Sequence, residues 1–230
     1  MVLFPNGMRA EAVIFDFDGI IVDTEPLHYK SFQQILAPLG FEFTWQEYLD
    51  KYIGFDDRDA FREAFATHNR ELSNNQLQTL ISQKALAFQS VIKDGVSAYP
   101  GTVELIRKLH DACVPLAICS GALKSDIDPI LVTLNITDYF NTIVTADDVA
   151  TSKPNPECYE IAFSKLLDLQ KKPFSKKTTF AIEDTPAGIS AARQADLNVC
   201  AVTNSYAAEK LTEATFITSS LELLLDIRLN

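Results

Sequence analysis

The stretch from Ala12 to Glu25 reads AVIFDFDGIIVDTE. Four apolar residues, Ala12 to Phe15, run into two carboxylates, Asp16 and Asp18, and then a glycine, Gly19. A short β-branched apolar run stopped by glycine reads as a buried strand. An extended backbone sends side chains two positions apart to the same face, so Asp16 and Asp18 are expected to share one. Two carboxylates at the end of a buried strand repel each other and lose hydration, a cost that a cation between them relieves. Mg²⁺ suits such a place, because it takes hard oxygen ligands from one or two carboxylates together with water and phosphate.

Downstream of Thr24 the texture turns helical and stays so to about Val96. Phe32, Ile35, Leu36 and Leu39 fall at i, i+3, i+4 and i+7, one face of a helix that Gly40 stops. Thr44 with Glu47, and Ser73 with Gln76, form capping boxes for two further helices. The last of them carries Leu77, Leu80, Ile81, Phe88 and Val91 on one side, with Lys84 as the polar exception. An all-helical insert of about four helices is expected, spanning 24–96.

Beyond Tyr99-Pro100-Gly101, helices alternate with short apolar strands. The strands are expected at Pro115–Cys119, Thr142–Thr145, Thr178–Ile182 and Val199–Val202. Such alternation predicts an α/β fold: a Rossmann-like parallel sheet, formed by 1–23 and 97–230, covered on both faces by helices. In these sheets ligands bind beyond the carboxyl ends of the strands. Those ends carry Asp16, Ser120-Gly121, Lys153-Pro154 and Glu183-Asp184. Each pair has an ordinary reading too. Ser120 or Gly121 can cap a helix, Lys153 can be a solvated lysine, and Glu183 and Asp184 can favour a helix N-terminus.

The 230 residues, 47% of them hydrophobic, are enough to bury a sizeable core. The formal charge of −11 argues against nucleic acid or an anionic membrane as partner. The four cysteines, Cys113, Cys119, Cys158 and Cys200, form no C-x-x-C pair. They are expected to be reduced core thiols of a cytoplasmic protein, neither a disulfide frame nor a zinc site. No apolar run reaches the length of a membrane span, and MVLFPNGMRA lacks the features of a signal peptide.

The segment D-F-D-G-I-I-V-D-T resembles the first motif, D-x-D-G-x-x-x-D-[ST], of the haloacid dehalogenase superfamily. ICSGA, TSKPNPE and FAIEDTPAGI are similar to its second, third and fourth motifs. The resemblance implies that Asp16 is a nucleophile that becomes an aspartyl-phosphate, and that Asp18 is the general acid and base. Haloacid dehalogenases and phosphonate hydrolases of the superfamily lack a carboxylate at the position of Asp18, so its presence points to phosphate esters. Ser120, with the backbone of Gly121 and Ala122, is expected to hold phosphate oxygens. Lys153 is expected to pair with the phosphate and with Asp16, Pro154 holding it out of a helix. The Mg²⁺ set implied is Asp16, Asp18, Asp184 and Glu183, the last directly or through water.

A helical insert after the first strand resembles the cap of the β-phosphoglucomutase and phosphoglycolate phosphatase branch. There Gly19 and Thr24 would line the substrate, Thr24 and Glu25 would lie in the first hinge, and His28 matches a substrate-side histidine of many members. Arg58 falls one position later than the arginine with which the mutases grip a second phosphate, with Asp56 and Asp57 beside it. Ala122 stands where mutases tend to keep a serine. The expected activity is therefore Mg²⁺-dependent hydrolysis of a small phosphorylated metabolite by a monomer or weak homo-oligomer. A sugar phosphomutase and a non-catalytic binding protein are the other readings.

Overall fold

The computed structural model describes residues 1–53, 55, 57–93, 95–169 and 173–229, with the backbone alone at 229. Gly54 and Asp56 of the cap segment lie outside the described residues. The chain divides into two units, Met1–Asp23 with Ser97–Asn230, and Thr24–Val96. In chain order the strands β1 (Val2–Leu3), β2 (Arg9–Ala10) and β3 (Ala12–Phe15) precede four helices, α1 (Glu25–Leu36), α2 (Trp45–Lys51), α3 (Asp57–Thr67) and α4 (Asn74–Ile92). Then come α5 (Thr102–Asp111), β4 (Leu116–Cys119), α6 (Lys124–Leu134), β5 (Thr142–Val144), α7 (Glu157–Asp168) and β6 (Thr179–Glu183). The chain continues with α8 (Pro186–Gln194), β7 (Asn198–Val202), β8 (Phe216–Thr218) and β9 (Arg228–Leu229).

Six parallel strands form the main sheet in the order β5-β4-β3-β6-β7-β8. Strand β3 is central, and the order reverses between it and β6, the position at which open α/β sheets bind ligands. All four residues of β3 are buried, which is why they read as a continuous apolar run. Ala12 and Ile14 face a core completed by Tyr159, Ala162 and Leu166 of α7 and Ile189, Ala191 and Ala192 of α8. Pro115 stands outside β4 because it has no N–H for the ladder, although its carbonyl accepts the Val13 N–H at 3.0 Å. The edge strand β8, and the small antiparallel sheet β2-β1-β9, escaped the sequence reading. Runs of two or three residues show no usable alternation.

The expectation of reduced core thiols is corrected at two positions. Cys119 and Cys158 are joined as a disulfide, with Cα atoms 5.8 Å apart and a sequence separation of 39. The reason is topological: β4 ends where α7 crosses it, and no sequence spacing announces that crossing. Free thiols remain at Cys113 and Cys200. The support that reduced cysteines lent to a cytoplasmic location goes with this pairing. No helix among the described residues is long and apolar enough to cross a membrane.

The second unit is a four-helix arrangement around Phe32, Leu36, Tyr48, Phe61, Phe65 and Leu77, among other apolar residues. Both expected capping boxes form, at Thr44 with Glu47 and Ser73 with Gln76. Helix α1 tightens into a 3₁₀ turn over Ala37–Leu39, which Gly40 ends in the left-handed region at φ 81°. Lys84 is 1% exposed. A buried ammonium needs a counter-charge, and the Asp57 carboxylate supplies it at 2.7 Å. Its Nζ also donates to His28 Nδ1 at 2.8 Å, and His28 stacks on Phe88 with ring centroids 4.4 Å apart.

Candidate active site

The site is built at the carboxyl ends of β3, β4 and β6. Strand β3 stops at Phe15, and the Asp16 N–H donates to the Ile182 carbonyl at 2.9 Å, so the pairing with β6 outlasts the strand by one residue. That register brings Asp16 beside Glu183 and Asp184. These three carboxylates each offer an oxygen within 4.8 Å of the others, and all three are buried. Asp18 is not one of the three. The chain bends at Phe17, and Asp18 is half-buried in the turn that follows. The strand ends before Asp16, so the extended run from which a shared face was expected stops short of Asp18, whose charge nevertheless adds, behind burial and Glu183, to the rise of the Asp16 pKa.

Lys153 reaches into this cluster from the loop before α7. Its Nζ donates to Asp16 Oδ1 at 2.9 Å, to Glu183 Oε1 at 2.7 Å and to the Cys119 carbonyl at 3.1 Å. An ammonium has three protons to give, and these three acceptors, all within 3.1 Å, meet them, with the Tyr159 hydroxyl more distant at 3.5 Å. The Lys153-Pro154 bond is cis. Burial disfavours the Lys153 charge, but the charges of Asp16 and Glu183 outweigh that cost and raise its pKa. Asp16 is pushed up to about 7 by burial and then by the Glu183 charge, with Lys153 pulling the other way. Burial, and then Asp16 and Glu183, raise Asp184 as well.

The chemistry of the donor set fits a divalent cation. Asp184 Oδ2 accepts a hydrogen bond from the Ser205 hydroxyl, while Asp184 Oδ1 is buried with no hydrogen-bond partner among the described residues. Buried polar atoms are nearly always satisfied, so an orphaned carboxylate oxygen marks a place for a ligand. Gly19 makes room for it. A Cβ at Gly19 would stand 2.0 Å from Asp184 Oδ2, and its φ of 80° is one that other residues rarely adopt. The Asn204 amide fixes this turn by donating to the Gly19 carbonyl at 2.6 Å. Asn204 and Ser205 follow β7 and were absent from the sequence reading; an asparagine and a serine in a loop carry no signal of their own.

Ser120 is 1% exposed just beyond β4. Its Oγ accepts the Ala122 N–H at 2.9 Å, and its own N–H donates to the Val144 carbonyl at 2.9 Å. The turn thus spends the Ala122 amide on orienting Ser120, whose hydroxyl proton is left to donate elsewhere. Gly121 is exposed, and nothing lies within 4 Å of where its Cβ would be. Lys124 is a solvated helix lysine paired with Asp128 at 2.6 Å. Of the residues expected at the substrate, Thr24 is fully buried, His28 is half-buried and Arg58 is exposed in the first turn of α3. All three belong to the helical unit. Asp57, which the sequence set against Arg58, has its carboxylate on Lys84.

The chain is similar to known phosphatases and shares its fold with a phosphomutase. Escherichia coli fructose-1-phosphate phosphatase YqaB is 28% identical over 83% of this chain and 95% of its own length. Protein CbbY of Rhodobacter capsulatus is 28% identical over 86% of this chain and 88% of its own. The crystal structure of β-phosphoglucomutase from Clostridium difficile superposes with a TM-score of 0.80 at 24% identity, covering 94% of this chain and 93% of that one, and so shows the fold. The profile of haloacid dehalogenase-like hydrolases matches residues 13–202. With that profile across most of its length, and the carboxylate and lysine cluster at its sheet's switch point, the chain belongs to the haloacid dehalogenase-like hydrolases.

Proposed function

We propose that the protein is a Mg²⁺-dependent phosphatase of a small phosphorylated metabolite, a sugar phosphate or phosphoglycolate-like ester, working through an aspartyl-phosphate on Asp16. The observation that carries this reading is Asp16 itself, held at 2.9 Å by the half-buried Lys153 beside a carboxylate oxygen that lacks any partner among the described residues. A carboxylate attacks phosphorus only where phosphoryl charge is neutralised and the approach is in line. Asp16 and Asp184 would hold the cation, which neutralises the phosphoryl oxygens when bound. Lys153 orients the Asp16 carboxylate and faces the same charge. The Ser120 hydroxyl donates to a phosphate oxygen. As the phosphorus–ester bond breaks and the bond to Asp16 forms, Asp18 gives its proton to the leaving oxygen. It then takes one from the water that cleaves the acyl-phosphate, so the sum is ester plus water to alcohol plus phosphate.

The helical unit, 24–96, is assigned the part of a specificity-carrying cap. Relatives include a fructose-1-phosphate phosphatase, and the charge of −11 favours a small molecule over nucleic acid. A sugar phosphomutase with the same nucleophile is the second reading, supported by the fold it shares with β-phosphoglucomutase. Against it, Arg58 stands one position later than the arginine of the mutases, and Ala122 stands where they tend to keep a serine. The test is a panel of phosphorylated metabolites with Mg²⁺, followed by phosphorus NMR. Accumulating inorganic phosphate is expected. Conversion of a sugar 1-phosphate to a 6-phosphate that depends on added bisphosphate, with little free phosphate, would establish the mutase instead. No turnover on any ester would leave only a binding role.

Cation binding is expected to depend on pH in a definite direction. With its pKa raised from 3.8 to about 7, Asp16 stabilises the metal-free fold fully below its ordinary value and loses that contribution as pH rises through about 7. Mg²⁺ needs the ionised carboxylate and competes with the proton. At a hundredfold excess over Kd a ligand adds about 2.7 kcal/mol, which for a chain of this size is a rise in Tm of roughly 5–10 °C. That rise is expected at pH 8 and should shrink to a small fraction at pH 5.5 at the same Mg²⁺ concentration. Equal shifts at the two pH values in scanning calorimetry would contradict the assigned site.

A further inference from the structure

Tyr159, on the first turn of α7, is fully buried against the cluster, and neither its position in the sequence nor the chemistry above gives it a task. Its hydroxyl donates to Glu183 Oε1 at 2.8 Å, and its oxygen lies 3.5 Å from Lys153 Nζ. The Nζ also sits 5.0 Å from the centre of its ring. We propose that the Tyr159 hydroxyl is a positioning group for Lys153, acting through Glu183, and that Glu183 serves this purpose in place of direct metal ligation. The proposal rests on the phosphatase reading for what Lys153 does, but its geometry stands apart from it.

The state of Glu183 is the first argument. Oε1 accepts from Lys153 and Tyr159. Oε2 faces the Asp184 N–H at 3.1 Å, the Thr185 N–H at 3.3 Å and the Thr185 hydroxyl at 3.1 Å. A carboxylate offers about four lone-pair directions, and five donors surround this one, so no direction is left for a cation. The side chain cannot turn away, because it is fully buried and packs against Gly188, where a Cβ would stand 1.8 Å from Oε1. Asp184, with its orphaned Oδ1, is in the opposite condition. The sequence expectation that both acids of the Glu183-Asp184 pair ligate metal therefore divides: Asp184 faces the cation, Glu183 faces the lysine.

The second argument concerns balance. Lys153 is shared between two carboxylates at nearly equal distances, 2.7 Å to Glu183 and 2.9 Å to Asp16. Charge-assisted bonds are strong, and an oxygen with fewer donors attracts a cation more. The Tyr159 hydroxyl supplies Glu183 Oε1 with a second donor and so weakens its hold on Lys153. Without that donor the ammonium is drawn toward Glu183, away from Asp16 and from phosphate.

The experiment uses Tyr159→Phe, which keeps the ring and its packing, in the full-length protein with Mg²⁺ present. Calorimetric binding of inorganic phosphate is the main readout, so the result does not depend on finding the substrate. The Phe variant is expected to bind phosphate about tenfold more weakly, with Mg²⁺ affinity unchanged within twofold. In a Lys153→Ala background the same change should have no further effect, since contacts that act through one group are not additive. Wild type that binds phosphate but never turns over an ester would refute the phosphatase reading and leave this proposal standing. An unchanged phosphate affinity in Tyr159→Phe would overturn the proposal. So would an equal loss with Lys153 already removed, the result of a merely structural role. Glu183→Gln, tested for Mg²⁺ alone, gives an independent check: tenfold weaker Mg²⁺ binding by the folded variant would make Glu183 a metal ligand and overturn it too.

Discussion

Asp16→Asn is expected to abolish turnover and to leave the fold intact. The amide is nearly the size of the carboxylate, so packing at the end of β3 survives. It cannot carry a phosphoryl group as an acyl-phosphate, and the loss in kcat should be about a thousandfold or more, a barrier increase of at least about 4 kcal/mol. The sign of the stability change is the more discriminating result. Asp16 is a buried carboxylate whose pKa is raised to about 7, so above that pH its charge works against the metal-free fold. A neutral side chain removes that repulsion from Glu183 and Asp184. Metal-free Asp16→Asn should therefore melt at least as high as wild type at pH 8 and lose most of the Mg²⁺-induced rise in Tm. A folded variant that retains substantial phosphate release would defeat the covalent mechanism.

Gly19→Ala is the second large effect. Here the sequence offers one methyl group and the structure has no place for it. The backbone at φ 80° costs an L-residue about 1–2 kcal/mol. The added Cβ would also stand 2.0 Å from Asp184 Oδ2 and 2.7 Å from its Cγ. Asp184 is fully buried and cannot swing into solvent; it can only leave its bond to Ser205 and the orientation that presents Oδ1. Mg²⁺ affinity should fall by about 10–100-fold, the usual cost of disturbing the groups that orient a ligand. Stability should fall by about 2–3 kcal/mol, in the range of strained backbone and overpacking combined. Excess Mg²⁺ should restore part of the activity of Gly19→Ala and none of that of Asp16→Asn. Wild-type Mg²⁺ affinity in a folded Gly19→Ala protein would mean that Asp184 does not hold the cation.

How much of this was legible in the chain depends on whether the relevant physics is local. The run Ala12–Phe15, the capping boxes at Thr44 and Ser73 and the left-handed stop at Gly40 are decided within a few residues. The sequence therefore states them directly, and the structure contains them. The alternation of helix and strand after Tyr99 carried the fold class, because a parallel sheet needs a crossover between strands and shows it as texture. Asp16 and Asp184 were legible because each directly follows a strand, and Lys153 because it lies in the loop after β5, and parallel strands bring their carboxyl ends to one edge.

What the tertiary structure alone decided is which of those residues touch and what each is spent on. Glu183 and Asp184 are adjacent in sequence and look alike; the strand sends one toward five donors and leaves the other with an oxygen unpartnered among the described residues. Tyr159 and Ser205 were silent in the sequence because a phenol or a hydroxyl acquires a role only from its partners, Glu183 24 residues away and Asp184 21 residues away. Cys119 and Cys158 were read as separate thiols because the crossing of α7 over β4 is a matter of packing. Lys84 was a blemish on an apolar face until Asp57 and His28 were seen around it. Local propensity and strand ends determined the fold and which edge of the sheet carries the candidate site, since both follow from the backbone's own periodicity. The pairing of charges within the site followed only from register and packing, because a buried charge is defined by what surrounds it.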